Sequence, residues 1–452
     1  MTVTVAQLSD TLQTVLTSFA DQTARQTGSL RRQRIVSGAS FVQTLVFGWL
    51  DNPNATLEDL AQAHGTVAEP LSPQALDQRF NAKAADTLRL VLQEAVRHVF
   101  AGQPRLLPLL RRFNGVYLLD GTVVSLPACL ADIWPGCGGR TADSGEAALK
   151  IQLRWELLTG ALDGLALHAG RDSDATAPLG RAALPTGALR LADLGYFDLG
   201  VLHDYAQQGA YWLMRLKGQT AVFVDGQPVR SLAAWLRRRG RQRIDCVVEV
   251  GAKQRLRCRL LAVRVPKEVA RQRRARLRKE ARDKGYQVSA ERLALCDWSV
   301  WISNVPAELL SVHEVDALAR VRWQIELLFK LWKSHGEIDN SRSGKAWRVL
   351  CEVYAKLLAM VVQHWVLLLS WEGSEQRSLR KAARKVRQHA LQLASVLGIG
   401  RELRRVLRML QRCLGHGLKI NKRRKKPAWF QLLAEHDQQP PAETQKKPVR
   451  AA

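Results

Sequence analysis

The sequence predicts an α/β core, interrupted by a β-rich insertion and flanked by all-helical N- and C-terminal regions. Three observations predict it. Residues 106–217 carry strand-length apolar runs followed by a helical stretch and a further strand. Residues 218–304 repeat short strand-like runs around a very basic segment. Residues 1–105 read as all helical, with helical start signals, and 377–426 reads as helical and basic.

Composition limits the class. The chain has 452 residues, of which 46% are hydrophobic, enough for a sizeable core. Lys and Arg number 68 against 41 Asp and Glu, a formal net charge of +27. An excess of that size points to a polyanionic partner, nucleic acid or an anionic membrane surface. Residues 1–12 have no basic stretch followed by an apolar run, so they do not read as a signal peptide. The most apolar run, 357–369, is interrupted by Gln363 and His364 and is shorter than the roughly 20 residues of a spanning helix; it reads as a buried helix. Nucleic acid is therefore the expected partner. The seven cysteines are scattered without a Cys-x-x-Cys pair, which argues against a disulfide framework and a structural zinc and fits a reduced cytosol. Cys413 and His416 lack a second ligand pair nearby.

In 1–105, Thr56-Leu-Glu-Asp59 is a helix N-cap followed by first-turn acids, and Ser72-Pro73 opens another helix. The segments 56–64 and 72–80 could form a helix-turn-helix presenting Gln74, Gln78 and Arg79. Equally, they could be two packed helices, and the connection is long for the motif. In 106–217, strands are expected at 116–126, 149–158, 165–168 and 188–194, a helix at 199–208 and a strand at 211–216. In the insertion, 222–224, 244–250, 256–265 and 298–303 read as strands. The segment between the last two holds Arg264, Lys267, Arg271, Arg273, Arg274, Arg276, Arg278, Lys279, Arg282 and Lys284. Residues 305–375 return to the core with helices 314–335 and 346–371; 377–426 is helical and basic. The stretch 437–452 has no apolar period and reads as a disordered tail.

Three carboxylates stand out. Asp120 lies inside the apolar run 116–126, where a lone carboxylate is costly unless paired or bound to metal. Taken alone, Asp120-Gly121 favours a hairpin turn. Asp193 ends the run 188–193, and ligands gather at strand ends in α/β sheets, although a helix cap or a loop acid is the plainer reading. Glu326 shares a narrow helical arc with Arg322 and Lys333. A solvated ion pair is the bland account of that arc. Against it, Trp323, Ile325, Leu327, Leu328, Phe329 and Trp332 make the helix apolar around much of its girth.

The spacing Arg322-x3-Glu326-x6-Lys333 resembles the Tyr-x2-Arg-x3-Glu-x6-Lys signature of DDE transposases of bacterial insertion sequences, of the insertion-sequence-4 type; Ala319 stands at the Tyr position. Leu119-Asp120-Gly121-Thr122, Ala192-Asp193-Leu-Gly-Tyr-Phe197, residues 149–160 and Trp301-Ile-Ser-Asn304 are similar to that family in the same order. The resemblance covers about residues 105–370. It implies an RNase H-like mixed-sheet core bearing Asp120 and Asp193 on neighbouring strands, with Glu326 on the following helix as third acid and metal ligand. Two Mg²⁺ ions, which Mn²⁺ could replace, would sit roughly 3.5–4 Å apart among these oxygens. Water would be the nucleophile for end cleavage and the freed 3′-OH for joining to target.

Arg322, Lys330 and Lys333 would contact transposon-end DNA, and Trp298 or Trp301 could stack on an extruded base. Arg273, Arg274 and Arg79, with the basic stretches 264–284 and 377–426, are candidate phosphate contacts. The 1–105 region would bind the DNA end, and the C-terminal helices would support a homodimer on paired ends. Asp172, Asp174 and Asp198 are decoys near the core, and Ser125 has no evident His partner in the sequence. The competing readings are a catalytically silent DNA-binding relic and an RNase H-like nuclease without strand transfer.

Overall fold

The structure is a computed structural model that describes residues 2–29, 35–105, 107–138, 145–420 and 429–437. The chain opens with α1 (Val5–Gln13), a π-helical turn, α2 (Ala20–Gln26), α3 (Gly38–Asp51), α4 (Leu57–His64), α5 (Pro73–Asp77) and α6 (Ala82–Arg97). After α7 (Pro108–Arg111) come β1 (Val116–Leu126), β2 (Ala147–Glu156), β3 (Leu162–Ala169), α8 (Pro178–Arg181), β4 (Leu189–Ala192), α9 (Leu199–Gln207) and β5 (Tyr211–Arg215). Then follow β6 (Val222–Val224), β7 (Gln227–Pro228), α10 (Leu232–Arg238), β8 (Arg243–Val250), β9 (Leu256–Arg264), α11 (Lys267–Asp283), α12 (Ala290–Leu295) and β10 (Trp298–Ser303). The last elements are α13 (Val315–Val321), α14 (Trp323–Gly336), α15 (Ala346–Leu368), α16 (Leu379–Arg387), α17 (Ala390–Val396), α18 (Gly400–Gly415) and α19 (Trp429–Asp437). This is the mixed α/β architecture that the sequence predicts.

The chain divides into two compact units. The first joins Met1–Leu106, Leu118–Leu179 and Trp323–Lys422; the second joins Leu107–Tyr117, Gly180–Arg322 and Arg423–Ala452. In the first unit, α3 and α6 pack on α15, with α16 and α18 also against it, so the N-terminal helices share a core with late segments of the chain. Both α3 and α15 are apolar around their girth, the pattern of a helix surrounded by protein. The sequence run 357–369 is the second half of α15. At 23 residues the helix is long and apolar enough to cross a membrane, a correction to the shorter run expected, but its apolar window is wholly buried inside the protein. Its polar groups are satisfied there. Lys356 pairs with Glu352 at 2.7 Å and donates to the carbonyls of Glu337 and Asn340, and His364 Nε2 lies 2.7 Å from the Gly160 carbonyl. Buried charges persist when paired and hydrogen-bonded in this way.

The strands of the first unit lie in the order β3-β2-β1, with β2 and β3 antiparallel. In the second unit the order is β4-β5-β10-β9-β8-β6-β7. There β4 and β5 are parallel, joined through α9, while β10 pairs antiparallel with both β5 and β9. Asn304 fixes the end of that closing strand. Its carboxamide accepts from the Trp212 N–H at 2.7 Å and donates to the Ala210 carbonyl at 2.8 Å.

Two expectations change, and one lies outside the described residues. The second segment of the possible helix-turn-helix, 72–80, shrinks to the five-residue α5. Asp77 at its end binds Lys345 and lies 3.7 Å from Arg348, and Phe80 packs on Phe41 and Trp49. A helix of that length is too short to lie in a DNA groove, so the packing alternative holds. The single helix expected over 314–335 is two, with Arg322 at the junction between α13 and α14. The tail 438–452 and the basic run 421–428 lie outside the described residues.

Candidate active site

The hairpin turn that Asp120-Gly121 favours in isolation does not form. Strand β1 runs unbroken from Val116 to Leu126, and Asp120 sits within it, half-buried, accepting the Gly121 N–H at 2.9 Å. The apolar residues on both sides hold the segment extended, because Val116, Leu118, Leu119, Val124 and Leu126 are all buried. The carboxylate is thus carried at a fixed place on a strand.

Asp193 follows β4 directly. All four residues of β4 are buried, whereas Asp193 is exposed at the strand's C-terminal end. It occupies the N-cap position of the short 3₁₀ turn Leu194–Tyr196, yet its side chain makes no capping bond. The cap reading of the sequence therefore fails, and Asp193 lies just past the end of the strand. Tyr196, buried beneath, anchors the turn.

Glu326 lies half-buried in the first turn of α14. In the same unit as β1, Lys333 Nζ donates to the Val123 carbonyl at 2.9 Å and lies 3.7 Å from Asp339. One lysine therefore ties the helix that carries Glu326 to the strand that carries Asp120, three residues from that aspartate. Sequence spacing suggested a phosphate contact for Lys333; it did not suggest this backbone partner, which comes from more than 200 residues upstream.

The girth of α14 is less buried than its composition suggests. Ile325, Leu328, Phe329 and Trp332 are buried, but Trp323 is 48% exposed and Leu327 41% exposed. Lys330 Nζ stands 4.6 Å from the Trp323 ring centroid, a cation–π contact two helical turns long. Arg322, at the head of the helix, is half-buried.

The remaining expectations sort by burial. Trp298 and Trp301 are 6% and 3% exposed on β10, so neither presents a ring face to a base in this conformation. Arg273 donates to the Trp298 carbonyl at 3.0 Å and to Ser299 Oγ at 2.9 Å, and burial lowers its pKa. Arg274 binds Asp297 and the Leu293 carbonyl. Both arginines are spent on partners within residues 293–299. Arg79 folds back onto the Ala75 carbonyl, and burial lowers its pKa too. The decoy acids have structural partners. Asp172 accepts the Ala169 N–H, Asp174 pairs with Lys150 at 3.2 Å, and Asp198 caps α9 through the N–H groups of Gly200 and Val201.

Among the described residues, no three Asp, Glu, His or Cys side chains stand together as a ready metal-holding group. Asp120 and Glu326 belong to the first unit and Asp193 to the second. The donor set itself suits a hard divalent cation, being three carboxylates of which none is fully buried.

Comparison with known proteins identifies the family. The transposase DDE domain family matches residues 111–362. The transposase for insertion sequence element IS231B of Bacillus thuringiensis subsp. berliner is 27% identical over 370 residues, 76% of each chain. The IS231F transposase of B. thuringiensis subsp. israelensis is 26% identical over 445 residues, 92% of each chain. The IS1151 transposase of Clostridium perfringens is 24% identical over 371 residues, 77% of each. The chain belongs to the transposase DDE domain family. It is a DNA transposase, a metal-dependent enzyme that cuts and joins DNA, and similarity to insertion-sequence transposases runs along most of its length.

Proposed function

We propose that this transposase is of the insertion-sequence-4 type and that Asp120, Asp193 and Glu326 are its catalytic acids, carried on an RNase H-like core. The observation that carries the reading is their placement. One acid sits in the middle of an unbroken strand, one at the C-terminal end of a buried strand, and one in the first turn of a helix that Lys333 ties to the first strand. The parallel pairing of β4 with β5, and the insertion of β6–β9 between β5 and β10, support the core-plus-insertion arrangement.

Divalent magnesium would be held by the carboxylates of Asp120, Asp193 and Glu326. When bound, it activates the attacking oxygen and stabilises the leaving one. The protein's own part is positional. β1 carries Asp120 at a fixed point within its strand, and β4 carries Asp193 just past its own end. α14 presents Glu326 between Arg322 and Lys333, whose charges suit the phosphates of a transposon end. Lys330, held over Trp323, lies on the exposed side of the same helix. Arg273, Arg274 and Trp298 drop out of the DNA-contacting set as folded here. A homodimer on paired ends, acting in the cytoplasm on double-stranded DNA, completes the reading.

Cleavage and joining of DNA bearing the element's own ends, in Mg²⁺, tests it. Glu326→Gln keeps the shape and removes the charge. It is expected to abolish both reactions while leaving end binding intact. Cleavage at the wild-type rate in that variant would show that Glu326 is not the third acid.

A further inference from the structure

Helix α18 carries a second basic surface, which the catalytic chemistry does not use. Its buried side is Leu403, Val406, Leu407, Leu410 and Leu414. Its opposite side is Arg401, Arg405, Arg408 and Arg412, all exposed. At about 100° per residue these four fall within an arc of about 60°, and their span of eleven residues is about 17 Å. The helix has five arginines and one glutamate, Glu402, which lies 3.6 Å from Arg405 yet leaves that side chain 82% exposed. The fifth arginine, Arg404, lies off the stripe and pairs with Asp10 on α1.

Such a stripe works against the helix that bears it. Like charges three and four residues apart destabilise a helix, and Arg401 places a cation in the first turn, where the helix dipole disfavours it. A surface that only needs solvation mixes both signs. A polyanion would convert each of these penalties into an attraction. Along a duplex, about 17 Å spans about five phosphates of one strand, against four guanidinium groups. Guanidinium forks match phosphate oxygens two by two.

We propose that the Arg401–Arg405–Arg408–Arg412 face of α18 is a sequence-independent binding track for the phosphate backbone of duplex DNA, separate from the contacts at α14. The track rests on the reading of the chain as a DNA enzyme and adds a surface to it. It makes no base contact, so it serves DNA of any sequence.

The test is the salt dependence of binding between the purified full-length protein and a short duplex of unrelated sequence. Each phosphate contact contributes about 0.9 to the slope of log K against log salt. The fourfold variant R401Q/R405Q/R408Q/R412Q is expected to lower the slope by up to about 3.6, and R408Q alone by about 0.9. The fourfold Arg→Lys variant should restore most of it. All four side chains are exposed, so the urea midpoint should stay at the wild-type value or rise. A wild-type slope left unchanged in the folded glutamine variant overturns the track alone. Complete absence of salt-dependent binding by the wild type overturns the DNA-enzyme reading and the track together. If the fourfold variant loses binding to phosphatidylserine vesicles, or loses self-association, while its DNA slope is unchanged, the face serves another partner and the proposal is wrong.

Discussion

Helices α11 and α18 are both rich in arginine, yet their charges do different work. In α11, Arg273 and Arg274 turn inward to the Trp298 carbonyl, Ser299 and Asp297, and so hold the helix to the closing strand β10. In α18 the four-arginine stripe faces outward, on the side away from the leucines that seat the helix. Counting basic residues ranks α11 first. Asking which guanidinium groups face solvent removes that lead: with Arg273 and Arg274 turned inward, α11 keeps four exposed arginines, Arg271, Arg276, Arg278 and Arg282, the same number as the stripe of α18. A guanidinium group half-buried against internal acceptors, as Arg273 is, is less available to DNA than one that stands in solvent.

The comparison breaks most visibly in stability. Arg273→Ala and Arg274→Ala should each lower the unfolding free energy by about 1.5–3 kcal/mol, the cost of losing charged hydrogen bonds. Arg278→Ala, exposed on the same helix, should change it by no more than about 0.5 kcal/mol, as surface substitutions do. Urea titration of the three variants measures this, and equal effects would remove the distinction between spent and available arginines.

A smaller effect sharpens the same point through binding. Arg278→Gln and Arg282→Gln are exposed changes and should each reduce the salt slope of DNA binding by about 0.9 if α11 lies on DNA at all. Arg273→Gln should leave the slope alone. A loss of slope in Arg273→Gln, with folding intact, would mean that its internal bonds give way to phosphate.

A separate effect concerns pH. His364, buried against the Gly160 carbonyl, is pushed down to about 4, as is His335, which burial and the nearby Arg387 hold neutral. In the unfolded chain such a group takes its proton near 6.5, so between about 6.5 and 4 the unfolded state binds more protons than the native one. Stability should therefore fall as pH drops through that window, and these two groups add no further loss below it. His364→Gln, whose amide can still donate to Gly160, should flatten the slope. An unchanged slope would mean that the imidazole is already protonated in the native state.

Much of the fold was legible. The strand at 298–303 and the short strand at 222–224 match expectation residue for residue, because alternating or continuous apolar runs bounded by polar turns are local signals. Legibility ended where a distant partner decides. Asp120-Gly121 reads locally as a turn, and only the sheet around it holds it straight. The segment 72–80 reads as a full helix, but α5 stops at Asp77, which is claimed by Lys345 and Arg348 from far along the chain. The bond from Lys333 to Val123 and the inward turn of Arg273 are of the same kind. At the candidate site, the acids were nameable from spacing, whereas the exposure of Trp323 was not. Nothing in the pattern says which side of an apolar helix is left uncovered.

The shared core of the first unit bears on how the protein is made. Helix α3 is buried on all sides in the finished molecule, partly by α15, whose last residue is Leu368. A ribosome that has just completed Arg97, the end of α6, must add about 270 more residues before that cover exists, on the order of 14–54 s at ordinary elongation rates. Throughout that interval the first hundred residues carry a sticky, half-finished surface in need of a chaperone. A frameshift or premature stop anywhere before α15 should therefore yield aggregated or degraded fragments, and not a stable end-binding piece able to compete with the intact enzyme.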